Sequence, residues 1–480
     1  MCALPIWFVT PMFLGSSLNP VNSSLIATAL VPIAAAMHTS VGRTAVLVSA
    51  LYLASSIAQP TAGKLSEEFG PRRVFLAGII TVLIGGVVGG VGQNLTTLIA
   101  ARVLIGVGTS AGYPSAMLLI RRRAEQAGLA KPPGGVLGGL QIAGAATAAL
   151  GLPFGGVLVG AWGWRATFFA NVPVALVTLV MAVSGIPRDA PVQGSRKARD
   201  IAARIDLAGI AGFGGAMTAL LVFLMSVPHP DWAALGAAVV LAAALVAWEL
   251  RAADPMVPLR LFRSRAFAAG NAAAFCVFAT LLSLVFFMAQ FLETGLGYGP
   301  FGAGLRLLPG WATLTLIAPF SGTLISRVGE RPLIASGLSL TAGGLAWIAL
   351  IARAGLPYSH LVAPLVMAGV GASIAIPATM NAVMTSVPPA AIGKASGTLN
   401  MLRQLGGVFG IAICAAVFAA HGDYASPATF ASGFAPALGA CAGLAVLGAV
   451  AGLAIPSRTA QAKAAPVMPP QPVLETEGSR

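Results

Sequence analysis

Apolar stretches of about 20 residues follow one another through most of the chain, separated by short connections rich in glycine, proline and charge. A bilayer core about 30 Å thick needs roughly 20 apolar residues for one helix to cross it. Inside that core every backbone N–H and C=O needs a partner, which a helix supplies from its own chain. Of the 480 residues 57% are hydrophobic and 9% charged, whereas soluble domains carry roughly 25% charge. The sequence therefore predicts an all-α polytopic membrane protein.

Apolar runs bounded by proline, glycine or charge predict fourteen spans. The spans are 8–36, 43–62, 74–92, 96–120, 135–160, 165–186, 207–227, 232–250, 267–292, 301–325, 333–352, 360–385, 395–420 and 432–455. Lys and Arg mark cytoplasmic connections. If both termini are in the cytoplasm, 22 of the 28 Lys and Arg residues lie in cytoplasmic segments. Three others, Arg43, Arg165 and Arg353, lie in connections on the outer side. We therefore predict a multi-pass protein of the bacterial inner membrane with both termini in the cytoplasm.

Two charged segments at equivalent places suggest an internal repeat: GKLSEEFGPRR at 63–73 and GTLISRVGERP at 322–332. Shared residues lie 259 positions apart, with Gly63, Leu65, Gly70 and Arg72 matched by Gly322, Leu324, Gly329 and Arg331. Many secondary transporters are built from such repeats and bind substrate between them. The predicted domains are a six-helix bundle at 1–187, charged linkers with two inserted helices at 188–265, a second six-helix bundle at 266–455, and a disordered cytoplasmic tail at 456–480.

Several motifs resemble those of the major facilitator superfamily. GKLSEEFGPRR resembles its loop between spans two and three, and LIAARVLIGVGTSAG at 98–112 resembles its fourth-span motif. GLPFGGVLVGAWGWRATFFANVPVAL at 151–176 is similar to the fifth-span motif and W-R…F…N-x-P segment of the fourteen-span drug/proton antiporter branch. GYGPFGAGLRLLPG and GKASGTLNMLRQLGGVFGIAI resemble later stretches of that branch. The resemblance implies a major facilitator fold of two six-helix halves plus two inserted helices.

In the first charged segment, Gly63 and Gly70 are predicted to allow a tight turn, and Arg72 and Arg73 to hold it in the cytoplasm. The resemblance implies that Glu67 sits against the helix that starts after Lys394, as a latch that breaks when the inner gate opens. A merely solvated loop is the alternative. The second segment keeps the glycines and basic residues but has Ser326 in place of Glu67. Its candidate motif residues are Gly322, Arg327, Gly329 and Arg331.

Buried charge and close helix packing give further candidates. Arg102 lies inside a span, where a charge costs roughly 2.5–3.5 kcal/mol and marks a functional residue by default. Arg306 and Arg403 either line the path or snorkel to an interface. By resemblance, a fifth-span set seals the antiporter against leak, although Leu152 stands where the motif has its proline. That set is Gly151, Pro153, Gly155 and Gly156.

Polar side chains inside the predicted spans are candidates for the substrate path, with helix–helix hydrogen bonding as the alternative. They are Asn19, Asn22, Gln141, Asn271, Gln290, Asn381, Asn400, Arg403 and Gln404. The antiporter branch carries an acid in span one, but this chain has Asn19 and Asn22 near that place. Glu293 is the candidate for proton coupling, because a partly desolvated carboxyl group can exchange protons near working pH. A solvated residue at a span end is its alternative.

We predict a secondary active transporter that exports amphipathic drugs or small metabolites by alternating access, driven by protons. A proton-independent facilitator or importer, and a non-transporting sensor on the same fold, are the alternatives. The sequence has no phosphate loop and no H-E-x-x-H motif, and its four cysteines lack C-x-x-C spacing, so no enzyme, cofactor or metal is expected. Expected partners are a small-molecule substrate, protons and lipid. Nucleic acid is not expected, because the positive charge lies in membrane-flanking connections, and the predicted state is a monomer.

Overall fold

The computed structural model describes residues 5–127, 134–189, 206–226, 230–252, 255, 259–388 and 391–456. Regular structure within these ranges is helical, as predicted. The predicted tail beyond Pro456 and the charged connection at 190–205 lie outside the described residues.

Three groups of helices follow the chain. The first half contains α1 (Ile6–Leu25), α2 (Leu30–Ala36), α3 (Val41–Phe69), α4 (Pro71–Val91), α5 (Leu95–Ser110), α6 (Gly112–Gln126), α7 (Gly134–Trp162), α8 (Ala166–Phe169) and α9 (Asn171–Gly185). A hairpin of α10 (Leu207–Met225) and α11 (Trp232–Glu249) comes next. The second half contains α12 (Arg265–Gln290), α13 (Pro300–Val328), α14 (Glu330–Ile351), α15 (Ser359–Thr385), α16 (Ile392–His421) and α17 (Pro427–Leu453).

In the described chain, eleven helices are long and apolar enough to cross a membrane, and a bent pair at the N-terminus makes up to twelve. The pair, Ile6–Thr28 and Leu30–Ala36, bends by 59°, whereas the sequence predicted one span at 8–36. A short 3₁₀ turn at Ile26–Thr28 and Pro32, which has no amide hydrogen to continue the helix, account for the bend. Helices α7 and α13 are each 29 residues long.

The two halves meet along two helix pairs: α7 packs against α13, and α3 packs against α16. Helix α10 of the hairpin contacts α3 and α16, while α11 packs mainly on α10. Large apolar side chains of α11, such as Val239 and Val240, are exposed. In a membrane such side chains face lipid, which is as apolar as they are.

The two ends of the bundle are packed differently. We call the end that carries Gly70, Arg122 and Gly329 the basic end, and the other the opposite end. At the opposite end one cluster of buried apolar side chains joins both halves, from Leu30 and Ile33 to Phe287 and Phe291. At the basic end the described clusters each belong to one half, one to the first and two to the second. The halves therefore share an apolar core at the opposite end.

The internal repeat is visible in the backbone. Gly70 and Gly329, 259 positions apart, have φ of 97° and 93° and separate α3 from α4 and α13 from α14. Gly78 and Gly337 are separated by the same interval. A Cβ on Gly78 would lie 2.7 Å from the carbonyl oxygen of Gly108, and one on Gly337 2.7 Å from that of Gly371. Each half therefore uses a glycine at the same place to bring two backbones into contact.

The charged segment at 63–73 is folded differently from the prediction. Helix α3 continues to Phe69, so Gly63 lies inside a helix and the predicted tight turn is reduced to Gly70. A Cβ on Gly63 would meet no atom within 4 Å. In the second segment α13 likewise runs through Gly322 to Val328. Charged side chains do not end a helix whose backbone carbonyls and amides are paired. The chain turns at the glycine that adopts a positive φ, a conformation that glycine allows.

The contrast between the two glycines of the first segment is testable. We expect Gly70→Ala to lower the free energy of unfolding by about 1–3 kcal/mol, because its φ of 97° is strained for any other residue. Gly63→Ala, the matched control, should raise it by up to about 1 kcal/mol through better helix propensity. Thermal unfolding of the purified protein in detergent measures both. Equal effects of the two substitutions would contradict the assignment.

Candidate functional site

A buried carboxylate, Asp189, organises the turn at the basic end. It follows α9, its side chain is 4% exposed, and it was absent from the predicted site. Its two oxygens accept hydrogen bonds from the backbone N–H groups of Arg72 (3.3 Å) and Arg73 (2.9 Å). These are the second and third residues of α4, whose unpaired amides and helix dipole favour an anion. Arg122 Nη1 lies 3.8 Å from the same carboxylate. Asp189 thus ties α4, α6 and the end of α9 together.

The predicted motif residues take different parts in this turn. Arg72 donates from Nη2 to the carbonyl of Val183 (3.0 Å), and Arg73 from Nη1 to that of Phe69 (3.3 Å). Glu67 is exposed instead of packed against the helix that follows Lys394, so that predicted placement is not seen in this conformation. Its latch role stays a prediction.

In the second half the equivalent turn is held by another pair. Asn381 donates from Nδ2 to Glu330 Oε1 at 2.6 Å, which links α15 to the first residue of α14. Asn381 was predicted to line the substrate path, but this bond places it at the basic end as a helix–helix link. Arg327 and Arg331 are exposed beside it, as residues that mark a membrane surface would be.

Arg102 is buried in the first half and bound by backbone carbonyls. Its side chain donates from Nε to the Leu47 carbonyl (3.0 Å) and from Nη1 and Nη2 to the Asn22 carbonyl (3.2 Å each). The Asn22 carbonyl is accessible because α1 ends at Leu25 and the Ile26 N–H turns to the Ser24 carbonyl. The break in α1 therefore supplies the acceptor that stabilises a charge inside the bundle.

Asn22 also links two helices through its side chain. Its Nδ2 donates to Asn171 Oδ1 at 2.6 Å and to the Leu18 carbonyl at 2.8 Å. Asn171 is the asparagine of the N-x-P segment, and both residues are almost fully buried. Asn19 similarly donates to Ser55 Oγ (3.2 Å) and Thr109 Oγ1 (3.0 Å). Both asparagines thus make the helix–helix hydrogen bonds that were the alternative to lining the path.

The glycines of α7 allow very close contact between helices. Cβ atoms on Gly151 and Gly155 would collide with Ser24 and with Thr28 and Leu25 at the end of α1. A Cβ on Gly156 would lie 2.5 Å from Phe301 Cα, and one on Gly304 2.7 Å from the Leu152 carbonyl oxygen. Pro153 lies inside α7 between these glycines. The predicted fifth-span set therefore lies where α7 packs against both the end of α1 in its own half and α13 of the second half.

Helix α12 ends in a π-helical turn, Phe291–Gly295, that contains Glu293. Such turns interrupt regular helices and are frequent at functional sites. Oε1 of Glu293 is buried and has no hydrogen-bond partner among the described residues. The sequence placed Glu293 at a span end, and the structure adds that its carboxylate is turned into the protein.

Gln290, one turn earlier, is committed to a hydrogen bond. Its Oε1 accepts from the Tyr424 hydroxyl at 2.6 Å, so it lies in the opposite-end packing and not on an open path. Burial raises the pKa of Tyr424 well above its ordinary value, which keeps the hydroxyl protonated as a donor. Phe291, next to Gln290, stacks on Phe434 at 4.3 Å between ring centres.

The remaining predicted path residues fall into three situations. Asn400 accepts a 3.4 Å hydrogen bond from Arg403 Nη1, and Gln404 is half-buried beside them. Asn271 is fully buried and donates to the Phe267 carbonyl at 2.9 Å, with Oδ1 unpaired among the described residues. Gln141 lies on α7, but its side chain is outside the described part of the chain.

Comparison with known proteins assigns the family. The family described as Major Facilitator Superfamily matches residues 12–411. The chain belongs to that superfamily. It is accordingly a multi-pass membrane transporter of small molecules, and not an enzyme.

Relatives and solved structures agree with this assignment. The chain is 30% identical over 430 residues to the uncharacterized MFS-type transporter YwoD of Bacillus subtilis, covering 87% of this chain and 92% of the relative. It is 30% identical over 438 residues to the tetracenomycin C resistance and export protein of Streptomyces glaucescens, covering 88% and 78%. The nucleoside transporter NupG superposes with a TM-score of 0.64 at 13% identity, covering 94% of this chain and all of the other. At that identity the structural match shows the fold.

Asp189 and Glu67 provide a matched pair for testing the turn. We expect Asp189→Asn to lower the free energy of unfolding by about 1.5–3 kcal/mol, because it removes a charged acceptor of two amides. Glu67→Gln, the same change on an exposed side chain, should stay within about 0.5 kcal/mol. Chemical denaturation of the purified protein measures both. A larger effect at Glu67 would show that the turn depends on the motif acid instead.

Gly156 and Gly160 test the contact between α7 and α13. We expect Gly156→Val to reduce transport at least tenfold, since the added side chain would meet the backbone of Phe301. Gly160→Val is the control, because a Cβ there would meet no atom within 4 Å. Uptake of a fluorescent dye into inverted membrane vesicles measures transport, and immunoblotting confirms equal amounts of protein. Full transport by Gly156→Val would contradict the importance of this contact.

Proposed function

We propose that this transporter exports amphipathic drugs or small metabolites across the bacterial inner membrane by alternating access, with proton entry as the driving reaction. The names of similar proteins support export. Besides the tetracenomycin C export protein, they include the multidrug resistance protein Stp of Mycobacterium tuberculosis and the multidrug transporter MdtP of Bacillus subtilis. We further propose the fourteen-span branch, with bundles at 1–187 and 266–455 and the hairpin of α10 and α11 inserted between them.

The difference between the two ends of the bundle carries the alternating-access proposal. One apolar cluster joins both halves at the opposite end, while the described basic-end clusters each stay within one half. Rocking the halves about such a contact would close one end while the other opens. With the basic end in the cytoplasm, this conformation is closed toward the outside. It is the state in which an exporter takes up its substrate.

Glu293 is our proposed proton carrier. It lies in the π-helical turn beside Phe291, which belongs to the shared cluster, and its Oε1 has no hydrogen-bond partner among the described residues. A carboxyl group there would change its surroundings when the halves separate at this end. Because neutralising it by protonation removes the cost of a buried charge, proton uptake and conformational change can be linked.

A proton-independent facilitator is the second candidate function. It is favoured by one observation: Asn22, near the place where the antiporter branch carries its acid, is bound to Asn171 and cannot lose a proton. In that case Glu293 would act only in packing. The two candidates differ in whether transport responds to a pH gradient.

Reconstituted transport separates these candidates. In proteoliposomes loaded with a panel of amphipathic fluorescent dyes of either charge, we expect dye movement to require a pH gradient. Glu293→Gln should lose this dependence while still exchanging dye, because a glutamine cannot carry a proton. Glu125→Gln, which alters an exposed carboxylate paired with Arg121, should behave like the wild type. Dye movement unaffected by collapse of the gradient would favour the facilitator.

A further inference from the structure

Arg403 lies in the middle part of α16, the helix through which the second half packs against α3 of the first. It lies eleven residues into α16, or about 16 Å along the helix axis. Its guanidinium carbon is 4.2 Å from the centre of the Phe278 ring of α12. From the first half, Tyr113 lies within electrostatic range of the same charge. One aromatic residue from each half therefore lies near the guanidinium.

The hydrogen-bonding capacity of Arg403 is mostly unused. A guanidinium has five N–H donors, and in the described chain one of them, on Nη1, reaches an acceptor, Asn400 Oδ1 at 3.4 Å. Arg102 differs, since three of its donors bind carbonyls. Arg306 resembles Arg403 in this respect, since it stacks on Tyr298 at 3.6 Å and one of its donors, on Nη1, binds the Gly302 carbonyl. Arg102 is therefore committed to backbone carbonyls, while Arg403 and Arg306 each use one donor among the described residues, and of these two Arg403 is the one with Tyr113 of the other half nearby.

The described acidic residues do not neutralise Arg403. Each lies within about two turns of a helix end or in a connection, away from mid-depth. These residues are Glu67, Glu68, Glu125, Asp189, Asp206, Asp231, Glu249, Glu293, Glu330 and Asp423. Two ion pairs, Arg121 with Glu125 and Arg122 with Asp189, lie at the basic end. The middle of the interface between the halves is therefore positive.

We propose that this transporter prefers amphipathic anions, and that Arg403 binds the acidic group of the substrate while Phe278 and Tyr113 contact its apolar body. A guanidinium forms two parallel hydrogen bonds with a carboxylate, and an aromatic ring packs against a planar apolar group. A cationic substrate of the same shape would be repelled by Arg403. This substrate class rests on the proposed transport function and narrows it.

Binding of three pyrene probes to the full-length protein in nanodiscs tests this preference. Pyrenebutyrate, its methyl ester and pyrenebutylamine share one planar body and differ in the charge of the head group. We expect pyrenebutyrate to bind at least about tenfold more tightly than the amine, after subtraction of binding to empty nanodiscs. Arg403→Gln should abolish the difference, whereas Arg403→Lys should retain part of it because it keeps the charge and loses the fork. Arg306→Gln is the matched control and should retain all of it.

Three results would overturn the proposal: tighter binding of the amine, absence of saturable pyrenebutyrate binding, or a preference that survives in Arg403→Gln. If Arg403→Gln fails to fold, as judged by size-exclusion chromatography, Arg403→Lys and the wild type still decide the matter through the order of the three probes. Binding is measured without any gradient, so it is independent of transport. If anions bind preferentially but no substrate is exported, the proposed export is wrong and the anion preference stands. If cations alone are exported, the proposed export stands and the anion preference is wrong.

Discussion

The close approach of the backbones of α7 and α13 is the contact on which the arrangement of the two halves depends. Gly156 and Gly304 leave no room for a side chain on either helix. In lipid there is no hydrophobic gain from pairing two apolar helices, so attraction comes from close packing of small residues. The same principle operates within each half at Gly78 and Gly337. The contact between the halves is thus of the same kind as the contacts inside each half, a glycine packed against a backbone. It lies at the opposite end, where the two halves share an apolar cluster.

Charge inside this protein is handled by three different physical means. Asp189 is stabilised by amides at the start of α4. Arg102 is stabilised by carbonyls, one of them supplied by the break in α1. Arg403 makes a ring contact and one long hydrogen bond, which leaves its charge available. The first two solutions hold helices together, while the third is the basis of the proposed preference for anionic substrates.

Sequence reasoning was most successful where the membrane itself imposes a rule. The helical class and the 259-residue repeat follow from apolar runs and from matched glycines such as Gly70 and Gly329. It was least successful for polar side chains. Asn19, Asn22, Gln290 and Asn381 all have the composition expected of a substrate path, yet each is hydrogen-bonded to a partner 36 to 149 residues away. The structural roles of Asp189 and Asn171 could not be predicted. In the sequence Asp189 is one acid in a charged connection, and Asn171 is one member of the N-x-P segment.

The sequence by itself determined that the chain crosses a membrane many times and that it contains a repeat. These properties depend on local composition, because lipid forces each span to satisfy its own backbone. Only the tertiary structure decided that α3 runs through the charges to Phe69, that Asp189 instead of Glu67 binds the turn, and that Arg403 lies against Phe278 with Tyr113 of the first half nearby. Those outcomes depend on which residues distant in the sequence come into contact. A polar side chain in a span gives the same sequence pattern whether its partner is another helix or a substrate.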